Sequence, residues 1–225
     1  MIRCDMHVHT WYSADGSFSP REMALIAVKR GMNGFVITDH DTTKGHKAAK
    51  EAARELKIIF VPGEEVTSAE KKHILAIGIE ECVKSGLPMA EAIDKIHDLG
   101  GVAVAPHPYD LVYGIKSSVR DYKYDGIEWR CSQNWISNIL TSLLLRDLRV
   151  SRVGGTDSHH MGSVGNSWTE FPNAESLDDI IEGIRKGKCR PGGAWSFPST
   201  VLIGLGYAAN AVIKKGFREW KRHFL

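Results

Sequence analysis

The chain has 225 residues, of which 43% are hydrophobic and 25% are charged, and its formal net charge is +2. This composition is ordinary for a soluble domain with a well-packed core, and it excludes a disordered or fibrous chain. The small net charge excludes a large basic field that would gather nucleic acid, so partners have to be inferred from a candidate site.

Short apolar runs bounded by turn residues predict seven strands, and apolar residues at helical spacing predict five helices between them. In chain order, the predicted strands are Ile2–Val8, Gly34–Thr38, Ile58–Pro62, His73–Ile77, Val102–Pro106, Gly126–Trp129 and Arg152–Gly155. The predicted helices are Pro20–Arg30, His46–Leu56, Pro88–Leu99, Trp135–Leu144 and Leu177–Lys186, with Ser176 as the cap of the last. This alternation indicates βα units.

Residues of metal-ligand type follow nearly every predicted strand, from the first to the last. In an open sheet, ligands cluster at one switch point, whereas strand ends arranged in a ring bring all of them to one site. We therefore predict an α/β fold, a distorted (β/α)7 TIM-like barrel. No linker or repeat divides the chain, so we expect one barrel domain over residues 1–195, followed by a C-terminal helix over residues 196–225.

The four cysteines are far apart and include no Cys-x-x-Cys pair, which excludes a zinc knuckle or a thioredoxin-like motif. We interpret them as free thiols. Because the N-terminus also runs directly into a predicted strand, with no apolar signal segment, we expect a cytoplasmic protein.

Two histidine pairs suggest metal ligation. His7 and His9 lie two residues apart on a predicted strand, so both side chains can face one ion. An isolated His-x-His also arises by chance on a half-buried strand, and only the neighbouring candidates argue against that alternative. Asp157 and His159 repeat the spacing near the last predicted strand, after glycines that allow close backbone approach.

The middle of the chain supplies further candidates. His40 lies between Asp39 and Asp41, and a flanking carboxylate there could orient its imidazole. Glu65 follows a predicted strand, where a carboxylate can bridge two cations, although Glu64 competes for that role. Asp15, His73 and His107 complete the set, and each of them alone would more often be structural.

Seven segments together resemble the PHP (polymerase and histidinol phosphatase) family of metal-dependent phosphoesterases. They are Asp5-Met6-His7-Val8-His9-Thr10, Ser13-Ala14-Asp15-Gly16, Thr38-Asp39-His40-Asp41, Pro62-Gly63-Glu64-Glu65, His73-Ile74-Leu75, Ala105-Pro106-His107-Pro108 and Gly155-Thr156-Asp157-Ser158-His159. The resemblance implies a distorted (β/α)7 barrel that binds two or three divalent cations. It places one ion near His7, His9, Glu65 and Asp157, a second near Asp15, His40 and His159, and a third near Glu65, His73 and His107.

Such a cluster suits phosphate ester hydrolysis, because neighbouring cations can activate a water molecule and hold the phosphoryl oxygens. Mixed histidine and carboxylate ligands favour Mn²⁺, Zn²⁺ or Fe²⁺ over Ca²⁺. A protein cation should help to clamp the phosphate. Arg130, directly after a predicted strand, is the candidate, and a surface arginine paired with Glu128 or with a neighbouring loop is the alternative.

The segment after residue 192 lies beyond the resemblance. It carries no charge from residue 192 to residue 213, and apolar residues from Val201 to Phe224 follow helical spacing. We expect a last amphipathic helix packed on the barrel. Basic residues near its end make an oligomer or membrane interface the alternative, whereas Gly204, Gly206 and Asn210 oppose a transmembrane span.

The leading functional hypothesis is a phosphoesterase that acts on a small phosphorylated metabolite or nucleotide. A 5′–3′ exonuclease on short oligonucleotides would use the same chemistry. An amidohydrolase-type enzyme also begins with His-x-His, but such enzymes commonly use a bridging lysine where this chain has Glu65 and His73. A non-catalytic metal-binding PHP module is the remaining alternative, and missing ligands would have supported it.

Overall fold

The computed structural model describes residues 1–193, which form a nine-stranded sheet covered by helices. The strands are β1 (Ile2–Asp5), β2 (Gly34–Ile37), β3 (Ile59–Thr67), β4 (His73–Ile77), β5 (Val102–Ala105), β6 (Gly126–Cys131), β7 (Ser151–Gly155), β8 (Ser167–Phe171) and β9 (Arg190–Gly193). The α-helices are α1 (Pro20–Lys29), α2 (His46–Leu56), α3 (Met89–Asp98), α4 (Trp135–Leu144) and α5 (Leu177–Arg185). A 3₁₀ helix spans Lys116–Asp121.

The helices begin where polar caps satisfy their first backbone N–H groups. Ser19 and Glu22 form a capping box at α1, and Ser176 and Asp179 form another at α5. The predicted helices agree with these bounds to within one residue at each end. The predicted C-terminal helix, and the domain boundary at residue 195, lie outside the described residues.

The sheet is nearly closed into a barrel, as predicted. Its strand order is β7-β6-β5-β4-β3-β2-β1-β8-β9, and β1–β2, β2–β3, β5–β6 and β6–β7 are parallel pairs. Beyond the ends of β1 and β7, a parallel bridge between Val8 and Ser158 joins the two sides of the ring. The C-terminal ends of the parallel strands therefore surround one mouth.

The hairpin of β3 and β4 differs from the prediction. The third strand was expected to end at Pro62, but β3 continues to Thr67 because residues 63–67 pair antiparallel with β4. Glu65 therefore lies within a strand and not after its end. Since β4 runs in the opposite direction, its first residue, His73, lies at the same mouth as the C-terminal ends of the parallel strands.

Two strands, β8 and β9, were not predicted. The run Arg190-Pro-Gly-Gly193 contains residues that usually interrupt strands, yet it pairs antiparallel with β8 at the edge of the sheet. Proline is tolerated at an edge because its missing N–H faces away from the ladder. β8 in turn pairs antiparallel with β1 and extends the sheet on that side.

Buried side chains fill the barrel and fix its helices. The interior cluster combines strand residues such as Val36, Leu75 and Val104 with Ile180 and Ile184 of α5. Ile184 accepts a hydrogen bond from the Ser151 hydroxyl at the start of β7, so α5 lies across the end opposite to the mouth. Two outer clusters hold α1 and α2 against β2, and α3 against β4 and β5. No helix within residues 1–193 is long and apolar enough to cross a membrane.

Candidate metal centre

The nine predicted ligands all lie around the mouth of the barrel. Each comes from the extension of a strand, from the β3–β4 hairpin, or from the loop after β1. Contacts between their ring nitrogens and carboxylate oxygens connect the whole set, which is His7, His9, Asp15, His40, Glu65, His73, His107, Asp157 and His159.

Glu65 is the centre of this arrangement and is 1% exposed. Its Oε1 lies 2.8 Å from Nδ1 of His73 and 3.3 Å from Nε2 of His107. Its Oε2 faces three other rings at 3.1 to 3.3 Å, those of His7, His9 and His40. The two oxygens therefore face different sets of histidines, as a carboxylate that bridges two ions would.

Three groups of ligand atoms are compact enough to hold an ion, with all atoms of a group within 4.8 Å of one another. The groups are His7, His9, Glu65 and Asp157; His9, Asp15, His40 and His159; and His40, Glu65 and His73. The first coincides with an ion position that the family resemblance implies, and the second adds His9 to another. The third contains His40 in the place expected for His107.

Hydrogen bonds to Nδ1 orient three of these histidines. His7 Nδ1 lies 3.2 Å from Oε1 of Glu128, His9 Nδ1 lies 3.2 Å from the Ser13 hydroxyl, and His159 Nδ1 lies 3.0 Å from the backbone oxygen of Asp157. When Nδ1 donates in each pair, Nε2 keeps a lone pair that faces the carboxylates of the site. This is the tautomer that a metal-binding imidazole needs, so the residues present fit divalent cations.

Asp39 holds the loop that carries His9. Its position next to His40 in the sequence suggests a contact with the His40 ring, but the carboxylate contacts the loop instead. Its carboxylate accepts hydrogen bonds from the N–H and hydroxyl of Thr10, at 2.6 and 2.7 Å, and from the Ser13 hydroxyl, at 3.0 Å. Ser13 also accepts the backbone N–H of His40 at 2.9 Å. One buried carboxylate thus supports the backbone around two predicted ligands.

Two predicted ligands at the mouth have an unusual backbone conformation. His107 has φ of 25° and Asp157 has φ of 54°, values that non-glycine residues rarely adopt. The N–H of His107 donates to Oε2 of Glu128 at 2.7 Å, which helps to hold this conformation. The ring atom Nδ1 of His107 is buried and has no hydrogen-bond partner among residues 1–193.

The electrostatics of the site favour a bound cation. Burial alone would raise the pKa of Glu65, but the charge and hydrogen bonds of His7 and its neighbours hold that pKa well below its usual range. Burial would lower the pKa of His159, but Asp15 and Asp157 raise it to about 9. Burial would also lower the pKa of His107, but the hydrogen bond to Glu65 outweighs burial and raises that pKa to about 9. Buried carboxylates therefore stay ionised and attract positive charge.

Glu64 is turned away from the mouth, as the alternation of a strand requires. Its oxygens accept hydrogen bonds from the N–H of Val83 and from the Cys82 thiol, at 2.8 and 3.0 Å. Glu64 therefore does not share the position of Glu65.

Arg130 contacts the far edge of the sheet. Its guanidinium donates to the carbonyl of Gly193, and its own carbonyl accepts from the Ser167 hydroxyl at 3.0 Å. Within the described part of the chain, no contact joins its guanidinium to the nine ligands. The phosphate clamp stays a prediction.

Two supporting residues were missed as functional candidates, Glu128 and Ser13. Glu128 is 1% exposed and has no arginine or lysine partner among residues 1–193. A carboxylate inside the apolar run Gly-Ile-Glu-Trp was a visible signal, because ionised groups are rarely buried without a partner. Ser13 offered no comparable signal in the sequence.

Residues 5–186 match the family model described as PHP domain. The chain belongs to the PHP domain family. Membership agrees with the barrel, the histidine-rich mouth and the buried Glu65 whose two oxygens face different histidines.

Individual relatives share parts of the chain. An uncharacterized protein of Methanocaldococcus jannaschii is 33% identical over 138 residues, which are 56% of this chain and 80% of that protein. The phosphoribosyl 1,2-cyclic phosphate 1,2-diphosphodiesterase of Eggerthella lenta is 39% identical over 82 residues, but these are 34% of this chain and 31% of that enzyme. The alignment therefore covers less than a third of the length of that enzyme.

The fold is shared with solved structures. A two-domain protein of Bacteroides vulgatus, described as containing a predicted PHP-like metal-dependent phosphoesterase, superposes with a TM-score of 0.69. Its sequence identity is 18%, and the alignment covers 85% of this chain and 64% of that one. At this identity the similarity establishes the barrel fold alone.

Proposed function

We propose that this PHP-family protein is a metal-dependent phosphoesterase that hydrolyses a phosphate ester of a small metabolite or nucleotide. The observation that carries the proposal is the position of Glu65, whose two oxygens face different histidine groups in a buried site. A bridging carboxylate between ion positions is typical of sites that hydrolyse phosphate esters with two or more metal ions.

The nine residues at the mouth would hold two or three divalent ions, and Mn²⁺, Zn²⁺ and Fe²⁺ suit their mixed ligands. The first group would use the Nε2 atoms of His7 and His9 with Glu65 and Asp157. When bound, the ions would lower the pKa of a water molecule and stabilise negative charge on the phosphoryl oxygens.

The protein's own residues would prepare the site for that chemistry. By accepting from Nδ1, Glu128 and Ser13 would hold the histidine tautomers whose Nε2 atoms can bind an ion. Burial of His7, His9 and Glu65 excludes bulk water from their side of the centre, so that the charge of the Glu65 carboxylate is only weakly screened. Such preorganisation lowers the cost of charge redistribution in the transition state.

The competing functions are less well supported. An amidohydrolase-type centre would commonly use a bridging lysine, whereas here Glu65 is the residue that would bridge two ions. A non-catalytic module does not need a complete ligand set, and all nine ligands converge. A cytoplasmic location is also a proposal, supported by the free thiols of Cys4, Cys82, Cys131 and Cys189.

The deciding experiment measures phosphate release by protein of known metal content. The substrates are nucleotides, sugar phosphates, histidinol phosphate, aryl phosphates and short oligonucleotides, tested with Mn²⁺ and with chelator. His7→Ala and Asp157→Asn, checked for unchanged circular dichroism, serve as matched variants. We expect metal-dependent release that both variants abolish. No release from any substrate by protein that holds two or three ions would reject the proposal.

The proposed clamp has its own test. Arg130→Ala should raise KM for the best substrate by about tenfold. The variant loses a hydrogen bond to the charged phosphate, and such a bond strengthens binding by about that factor. If kcat and KM stay unchanged at unchanged metal content, Arg130 is not the phosphate clamp.

A further inference from the structure

An exposed apolar surface borders the metal centre on the side of His73 and His107. We call it the apolar rim, and its side chains are between 43% and 83% exposed. It consists of Leu111, Val112 and Tyr113 from the loop after β5, and of Trp135 and Ile136 from the first turn of α4. Five large apolar residues gathered beside a candidate active site indicate a binding surface.

Two hydrogen bonds join the loop to the helix. The Asn134 side chain donates to Oδ2 of Asp110 at 3.0 Å, and the N–H of Tyr109 donates to the Ser137 hydroxyl at 2.9 Å. Within the loop, Oδ1 of Asp110 accepts the N–H groups of Val112 and Tyr113 at 2.9 and 2.8 Å. The rim is therefore held in place by its own polar contacts.

Tyr113 connects the rim to the metal centre. Its ring stacks on His73 with centroids 4.3 Å apart and an angle of 9° between the planes. His73 in turn lies 2.8 Å from Glu65 through Nδ1. Tyr113 is 45% exposed, and His73 is its one ring contact among residues 1–193. A planar group from the substrate can therefore stack on its exposed face.

We propose that the apolar rim binds the leaving group of the substrate, and that this leaving group carries a planar aromatic ring stacked on Tyr113. The inference rests on the proposed phosphoesterase function and narrows its substrate class. A phosphoryl group held at the ions would leave its ester group beside the rim. An aromatic ring gains contact there, whereas a polyhydroxylated chain would lose water from its hydroxyls without replacement.

The ring can come from an aryl ester or from the base of a nucleotide. Binding to metal-loaded protein separates the ring from other features of the ligand, with phenylphosphonate and butylphosphonate compared by calorimetry. Stacking of one ring is worth about tenfold in affinity or more, so we expect phenylphosphonate to bind about tenfold more tightly. Tyr113→Ala should abolish this preference, and Tyr113→Phe should retain it.

Leu143→Ala is the matched control, because Leu143 is an exposed apolar residue of α4 outside the rim. It should leave the preference unchanged. Equal affinity of the wild-type protein for the two phosphonates would overturn the proposal, as would a preference that survives in Tyr113→Ala. A rim variant that changes the oligomeric state without changing phosphonate binding would assign the surface to a second copy of the chain instead.

Turnover identifies the source of the ring. The ratio of wild-type to Tyr113→Ala kcat/KM is compared for phenyl phosphate, a nucleoside 5′-monophosphate and butyl phosphate. The subsite is supported if Tyr113→Ala lowers kcat/KM about tenfold for a ring-bearing ester and changes it by less than about twofold for butyl phosphate. The ester that shows the fall identifies the source of the ring. An equal fall for all three would show that Tyr113 acts only through His73. Preferential phenylphosphonate binding without hydrolysis of any ester would keep the subsite and reject the proposed activity.

Discussion

Nδ1 of His7 lies 3.2 Å from Oε1 of Glu128, a residue 121 positions further along the chain. The same carboxylate accepts the backbone N–H of His107 through its other oxygen at 2.7 Å. Glu128 therefore positions two predicted ligands without lying among them.

Glu128→Gln tests this positioning. An amide has one acceptor oxygen where the carboxylate has two, so either His7 or His107 loses its acceptor. We expect a loss of metal affinity of about 10- to 100-fold, measured by competition with a chelator. Glu80→Gln is the control, since Glu80 pairs with Lys50 on the exposed surface. Equal affinity in the wild-type protein and Glu128→Gln would contradict the role.

Glu65→Gln and Glu64→Gln form a matched pair on one strand. Because Glu65 faces two histidine groups and Glu64 faces Cys82 and Val83, only the first change should reduce the number of bound ions. Elemental analysis should show fewer ions per chain in Glu65→Gln and wild-type stoichiometry in Glu64→Gln. Unchanged stoichiometry in Glu65→Gln would exclude bridging.

Metal binding should depend on pH in a defined direction. The pKa values of His107 and His159 are raised to about 9, so both rings are mainly protonated at pH 7 and must lose a proton to bind an ion. Affinity should therefore rise as the pH increases from 7 to 9. Calorimetry in buffers of different ionisation enthalpy should detect proton release, and binding without release would refute this protonation state.

Gly155→Ala should damage the mouth directly. A Cβ atom at Gly155 would lie 2.6 Å from Cβ of His7 and 2.7 Å from Oε1 of Glu128. We expect the free energy of unfolding to fall by about 1–3 kcal/mol, measured in urea, together with metal affinity. Gly34→Ala in β2 is the control, because its nearest contacts would be at 3.4 Å, an ordinary van der Waals distance. Wild-type stability and metal binding in Gly155→Ala would show that the site can absorb the extra atom.

The sequence by itself identified the candidate ligands at the mouth and the outline of the barrel. Ligand types are visible as letters, and the spacing of His7 with His9 and of Asp157 with His159 is a local property of extended chain. Strand and helix periodicity is also local, so the five helices described above and the cores of seven strands could be predicted. The ring was inferred because nine candidate ligands, spread over several strand ends and loops, need one meeting point.

Only the tertiary structure decided what depends on pairing between distant segments. The antiparallel direction of β4, the extension of β3 past Glu65, and the strands β8 and β9 follow from partners that periodicity does not reveal. The role of Glu128 depends on sheet register, which brings β6 beside the extension of β1 across the barrel. Tyr113 likewise reaches His73 only because the loop after β5 folds over the start of β4, a contact between residues that no local pattern relates.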